Sequence, residues 1–451
     1  MSEIDLVIEG ATVATDYGVL HATVCVAGGI CHSLLDASQP APAAARHIDA
    51  AGLLLIPGGI DCHTHFWEPG WFTHREDFYH GSMSCAAGGV TTTLEHPLSI
   101  PPVADEASFE LKKTVASSKS VVDFGLWGAL LPGNVDQLAT LKGLGAVAFK
   151  GFMLDAGADY PWVDDGALLD GMREAARIDA IVGVHAESDA LTHHATERVK
   201  AAGRTDGRSI ADGRPPFSEL EAIHRAILLA KESGARLHIV HMSVPEGAEL
   251  IAEARAAGVR VTSETCGHYL LLNTGTLDEL GAYAKCKPPL RDEASRQRLW
   301  ETVLSGGIDF MASDHSPYSR EEKDQGLWEA PWGLPGAQTL LPILISEGVI
   351  ARQWDLVDFV KFSSTNAARL FGIYPRKGTV MVGSDADFTL IDLDASWTVD
   401  AGDLHSKQPW SPLEGRTLQG RIVSTIRRGE VIYDGSRILA APGSGQFVRP
   451  A

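Results

Sequence analysis

Ile60-Asp61-Cys62-His63-Thr64-His65 is the stretch whose reading decides the fold. It follows the apolar run Leu53-Leu54-Leu55-Ile56 and the breaker Pro57-Gly58-Gly59, which reads as a buried strand interrupted near its end. Alternate side chains on a strand share a face, so His63 and His65 point the same way. Two neutral imidazoles on one face are half of a metal site. A surface His-x-His is the plainer alternative, and only the rest of the chain separates the two.

Seven further short apolar runs follow, with helical segments between most of them. They are 90–95, 121–126, 146–150, 181–185, 237–241, 259–263 and 308–314. A representative helix is Ser218–Ala230, where Leu220, Ile223, Ile227 and Ala230 form a stripe and Ser218 and Glu221 have capping-box spacing. Eight strand-then-helix units predict an α/β fold, a (β/α)8 TIM barrel over 57–371. The flanks, 1–56 and 372–451, carry short strands between Gly-rich turns: Asp5–Gly10, Thr23–Val26 and His47–Asp49 on one side. On the other are Gly378–Val380, Ala386–Asp392, Arg421–Ile426 and Glu430–Asp434. They predict one small β-sandwich domain built from both termini.

Chemistry in such a barrel sits at the C-terminal ends of the strands. His63 and His65 end the first run, Lys150 the fourth, His185 the fifth, His241 the sixth and Asp314 the eighth. Each alone has an ordinary reading: a core histidine, a loop-capping aspartate, a lysine reaching out of the rim. His238 is as good a candidate as His241. The coincidence of all six at strand ends argues for a site.

Composition narrows the partners. The chain has 451 residues, 45% of them hydrophobic, and 38 Lys+Arg against 58 Asp+Glu for a net charge of −20. That sign repels phosphate backbones and anionic membranes, so neither nucleic acid nor membrane is expected. The six cysteines are scattered without a Cys-x-x-Cys, and the start, Met1 to Ile8, lacks a signal-peptide pattern. No run approaches a membrane span. A cytoplasmic protein is expected.

Seven segments, in order, carry a family resemblance. They are Pro57–His65, Phe149–Met153, Val184–Glu187, His238–Ser243, Glu264–Leu270, Lys285–Asp292 and Ser313–Pro317. Together they resemble the amidohydrolase superfamily, in the branch of dihydroorotases, hydantoinases and allantoinases, over nearly the whole chain. The resemblance implies two divalent ions per subunit, most often Zn2+. His63, His65 and Asp314 would hold one and His185 and His241 the other, bridged by N6-carboxylysine at Lys150. A free ammonium would repel two dications, whereas a carbamate offers two anionic oxygens. Asp314 would take a proton from the attacking water and return it to the leaving nitrogen. Family members are often tetramers, so a homo-oligomer acting on a small cyclic ureide or imide is implied.

Within the branch, dihydroorotases place an arginine two residues after the second metal histidine. Here Trp67 stands there, and an indole cannot grip a carboxylate bidentately. Hydantoinases and dihydropyrimidinases usually place a tyrosine five residues after the lysine, where this chain has Asp155. The allantoinase group is the most similar, through Phe152–Gly157, Val163–Asp165, Gly203–Asp206, Arg214–Glu221 and Trp332–Thr339. This implies opening of allantoin to allantoate, with a hydantoinase-like or other cyclic imide activity as the alternative. A non-catalytic relative is disfavoured because all six ligand positions are intact. Candidate substrate contacts are Trp67, Ser99, Asp155, Lys287 and Gly336. Lys287 stands where a small residue is usual and reads most simply as a solvated loop lysine. His96 stands where a methionine is more usual, Gly267 replaces the usual proline, and Trp71 adds bulk near the mouth.

Overall fold

The computed structural model describes residues 4–157 and 159–451. Its centre is a parallel barrel whose strands, in chain order, are Gly59–Thr64, Val90–Glu95, Asp123–Leu126 with Gly128–Ala129, Phe149–Phe152, Ile181–His185, Arg236–Ile239, Val261–Cys266 and Phe310–Ala312. Consecutive strands pair in parallel. The ring is completed at both interruptions. The third strand is split at Trp127, whose N–H donates to the Glu95 carbonyl at 3.0 Å. The eighth meets the first through the Thr64–His315 bridge and the bond from His65 N–H to the His315 carbonyl, 2.8 Å.

The strands are buried along almost their whole length, as expected where helices cover a parallel sheet. Trp127 fills the interior, and Gly183 makes room for it, since a Cβ there would meet the indole at 2.5 Å. The barrel and its helices share one continuous apolar core.

The termini build a second sheet. Nine strands lie in it, including Leu6–Glu9, Val19–Ala27, Leu54–Pro57, Phe388–Thr398 and Thr417–Arg427. The expected sandwich is formed by two layers that Val19–Ala27 joins, pairing with Leu6–Glu9 in one and with Thr12–Ala14 in the other, while Ile30–Asp36 pairs with Val19–Ala27 off the main path. The sheet folds over its own apolar face, where Leu6, Ile8 and Val24 share a cluster with Phe388, Leu390 and Ile426.

Three local expectations are corrected. Leu54–Pro57 is not the start of the histidine-bearing strand: it pairs with Phe388–Thr398 in the terminal sheet, and the barrel strand begins afresh at Gly59. Gly378–Val380 is not a strand; its ends are used differently, the Gly378 carbonyl accepting from Thr365 Oγ1 at 2.6 Å. The helix read from Ser218 starts earlier, as Pro216–Ser233 with Pro at its first turn, so no capping box forms and Ser218 Oγ donates to the Pro215 carbonyl.

Candidate metal centre

His63, His65, Lys150, His185, His241 and Asp314 all line one cavity of about 310 Å³ at the C-terminal end of the barrel. Lys150 and His185 lie on their strands, whereas His241 and Asp314 each sit two residues beyond one. Asp314 Oδ1 lies 3.3 Å from His63 Nε2 and 3.1 Å from His65 Nε2. The His185 and His241 rings meet edge to face at 4.4 Å, and the His63 and His241 rings are 5.2 Å apart.

Carboxylates behind the histidines set which nitrogen faces the cavity. Glu264 Oε1 accepts from His63 Nδ1 at 2.5 Å, leaving Nε2 towards Asp314. Glu187 Oε2 lies 2.8 Å from His185 Nε2 and is itself held by Arg214 at 3.1 Å. Such carboxylate partners orient metal-binding imidazoles and raise their basicity. Glu95 does equivalent work from the second strand, accepting from Thr64 Oγ1 at 2.7 Å and Phe66 N–H at 2.8 Å, on either side of His65. The backbone is forced as well. Trp67, His241 and Asp314 hold left-handed conformations, at φ 61°, 40° and 48°. Each costs a non-glycine residue roughly 1–3 kcal/mol, so the packing imposes them.

The electrostatics suit cation binding. Burial, then neighbouring cationic groups, drives the His63, His185 and His241 imidazoles well below their ordinary range, so they are neutral. Burial pushes Lys150 down to about 7. For Asp314, burial opposes ionisation, but the His65 hydrogen bond and the facing imidazoles outweigh it and hold the carboxyl low. The site therefore offers neutral imidazoles, an ionised carboxylate and an amine that sheds its proton easily. The decisive observation is what lacks a partner: Lys150 Nζ, His65 Nδ1 and His241 Nδ1 are buried and without hydrogen bonds. Buried polar atoms are nearly always satisfied, so the bare Lys150 amine in the cavity wall fits a bound group that engages it. The donor set of four imidazoles, a carboxylate and a modifiable lysine matches a pair of divalent ions.

His96 was outside the expected ligand set, yet its ring nitrogens fall close to those of His63 and His65. Geometry argues against ligation of the same ion. The His96 ring is stacked on His63 at 3.6 Å with planes 3° apart. An ion in the plane of His63 lies a stacking distance out of the plane of His96, where no lone pair points. His96 is a plate between His63 and Trp127, whose ring is 4.4 Å away. His238, the rival to His241, does not line the cavity and is satisfied by Thr262 Oγ1 at 2.9 Å and Glu264 Oε2 at 3.1 Å.

The expected substrate contacts divide. Trp67, Ser99, Asp155 and Lys287 line the cavity. Trp67 is buried with its Nε1 unpartnered, and Ser99 Oγ donates to the Pro101 carbonyl. Asp155 is exposed at the rim. Two expectations fail. Gly336 lies outside the cavity: its N–H donates to His315 Nδ1 at 3.1 Å, and a Cβ would meet the Ser313 carbonyl at 2.8 Å. Lys287 is not a solvated loop lysine but half-buried in the cavity wall. Trp71 is 66% exposed and absent from that wall. Tyr160 was missed. It reaches the same wall from beyond Asp155 and donates to the Lys150 carbonyl at 2.8 Å, a placement that the loop's sequence does not signal.

A (β/α)8 barrel with a terminal sheet and a histidine, lysine and aspartate cluster at its strand ends defines a metal-hydrolase class of architecture. Residues 54–432 match the amidohydrolase family, and the chain belongs to it. It is 43% identical to the allantoinase of Rubrobacter xylanophilus, over 100% of this chain and 98% of that one. It is 41% identical to the allantoinase of Solibacter usitatus, over 99% and 97% of the two chains. Among solved structures it is similar to an L-hydantoinase (dihydropyrimidinase) from Arthrobacter aurescens. That match has a TM-score of 0.96 and 35% identity, covering 99% of this chain and 100% of the other.

Proposed function

We propose that this chain is a metal-dependent cyclic amidase that opens the five-membered ring of allantoin to allantoate. The observation that carries the reading is the cavity that brings four imidazoles, the Asp314 carboxylate and the buried, unpartnered Lys150 amine together. In this reading His63, His65 and Asp314 would hold one divalent ion, most often Zn2+, His185 and His241 would hold the other, and Lys150, carboxylated, would supply anionic oxygens to both. Two bound ions supply Lewis acidity to the scissile carbonyl and to the attacking water. Asp314, poised between His63 and His65, accepts the water's proton and delivers it to the leaving amide nitrogen. Glu264 and Glu187 hold the imidazoles in register for this. Trp67, Phe152, Tyr160 and Trp332 line the cavity with aromatic surface that displaces water from a flat ring.

The substrate assignment rests on full-length allantoinase relatives; the hydantoinase likeness in fold favours a second reading, a hydantoin or cyclic imide substrate. We further propose that 57–371 is the catalytic unit and 1–56 with 372–451 the terminal unit. We also place the enzyme in the cytoplasm as a homotetramer. Among the described residues no helix is long and apolar enough to cross a membrane.

Elemental analysis of protein purified without chelator, coupled to a turnover panel, tests the reading. About two divalent ions per chain are expected, with the highest kcat/KM on allantoin rather than hydantoin, dihydrouracil or a simple cyclic imide. Metal-free protein whose turnover survives chelation would overturn the metal assignment, and a preference for another ring would overturn the substrate.

A further inference from the structure

Three cations gather at the face of Trp332 in the cavity wall. Lys285 Nζ lies 4.4 Å from the ring centroid, Arg214 Cζ 4.8 Å and Lys287 Nζ 5.3 Å. Two of them are engaged. Lys285 donates to the carbonyls of Leu327 at 2.7 Å, Trp328 at 3.0 Å and Ala330 at 2.6 Å. Arg214 pairs with Glu187 at 3.1 Å, which in turn holds His185. Lys287 is half-buried, lines the cavity, and has no hydrogen-bond or ion-pair partner among the described residues. Burial, then the charge of Arg214, lowers its ammonium to about 8, while Glu187, Asp155 and Asp189 oppose the fall. It is therefore charged near neutral pH.

An ammonium drawn from water towards an aromatic face recovers only part of its lost solvation there. An acceptor oxygen arriving in the cavity supplies the rest, through a charge-assisted hydrogen bond. The metal-ligand cluster lines the same cavity as Lys287, so a ring placed with its amide at that cluster leaves its substituent among the remaining lining residues, Lys287 included. We infer that Lys287 is a specificity-determining residue that binds the acceptor oxygen on the arm of the substrate ring. It selects rings whose arm carries a carbonyl or carboxylate over rings with no arm. This rests on the cyclic-amidase reading above and deepens it.

The test compares wild type, Lys287→Met and Lys287→Arg on three probes: hydantoin without an arm, allantoin with a ureido arm, and hydantoin-5-acetate with a carboxylate arm. Lys287→Met should raise KM for the armed rings by about tenfold or more, the worth of one charge-assisted hydrogen bond. kcat should change far less, and the loss on hydantoin should be several-fold smaller. Lys287→Arg, keeping the charge, should recover most of the loss. Whichever armed probe loses more identifies the arm Lys287 is built for. Equal losses on all three probes, or none, would overturn the inference. If metal-loaded wild type turns over no probe, the cyclic-amidase reading fails instead. Calorimetric binding of hydantoin-5-acetate then decides about Lys287: weaker binding to Lys287→Met supports it, and unchanged binding overturns it.

Discussion

The molecule buries two clusters of ionisable groups, and they are finished differently. At the junction of barrel and terminal sheet, Lys377 Nζ lies 2.5 Å from Asp123, 2.7 Å from Asp387 and 2.9 Å from Asp385. Arg428 also pairs with Asp123, and its N–H donates to Asp387 at 2.7 Å. Arg376 donates to Asp385 and Gln446 N–H to Asp123. Every carboxylate there meets a cation. The three acids converge as metal ligands might, but a lysine occupies their focus. At the strand ends, by contrast, Lys150 Nζ meets nothing, and neither do nitrogens of His65, His96 and His241. Burial alone does not mark a site, because both clusters are buried. The unspent hydrogen-bonding capacity of the second cluster marks it: there an amine and several imidazole nitrogens go without partners, whereas in the junction network Arg427 Nε alone does so among the described residues.

Substitutions at the two clusters should have opposite signatures. Lys150→Ala is expected to abolish most turnover and to lower metal content, while its melting temperature, both proteins being metal-free, stays within a few degrees of wild type, since Nζ has no partner to lose. Added short carboxylic acids should restore part of the activity by supplying the missing oxygens. A fully active, metal-loaded Lys150→Ala would end the bridging assignment.

Lys377→Met is the mirror case. It leaves Asp123, Asp385 and Asp387 buried with less cation, at a cost of about 3–5 kcal/mol. Denaturant unfolding should show a lower midpoint, with kcat per folded, metal-loaded molecule near wild type. The pKa directions of Asp123 and Lys377 agree with this, whereas burial leaves Asp387 raised. Burial opposes it, yet Lys377 and Arg428 hold the Asp123 carboxyl low, so its contribution is present above the unfolded carboxylate range and lost as pH falls through its folded value. Lys377 is shifted up against burial by the three aspartates, so its contribution is lost only as pH rises through that raised value. A variant as stable as wild type would show that the junction does not hold barrel and sheet together.

The smallest effect separates roles inside the metal cluster. Asp314→Asn keeps the shape and one ligand oxygen but removes the base, and kcat should fall by at least about 10²-fold. Metal content is the control. Retention of both ions with nearly full kcat would remove Asp314 as the proton carrier. His315 is a poor substitute, since its nitrogens are engaged by Glu76 and by the Gly336 and Ala337 N–H groups.

The division between what could be read along the chain and what could not follows the range of the interactions. Strand periodicity is local, so the eight barrel runs and the parity of His63 and His65 were legible from neighbouring residues, as were the polar residues at or just past the strand ends. The strand ends themselves drifted by a few residues, because pairing partners set them: the run 146–150 became Phe149–Phe152 once it was registered on Ile181–His185. Leu54–Pro57 reads as apolar whichever sheet claims it, and only its pairing with Phe388–Thr398 assigned it. The oxygens behind the imidazoles come from far away in sequence, Glu264 lying 201 positions from His63, and no spacing announces them.

Loop positions were decided only by the tertiary structure. Gly336 and Lys287 both follow motifs that suggest contact with substrate, yet one supports His315 and the other enters the cavity. His96 is close enough to His63 and His65 to be taken for a third ligand, and its ring plane argues against it. The sequence by itself determined the barrel and its residues with metal-binding chemistry, because both are written in short-range pattern and residue type. The folded structure alone decided which buried nitrogens remain unpaired and which lysine faces the substrate, because those depend on distances between segments that the chain brings together only on folding.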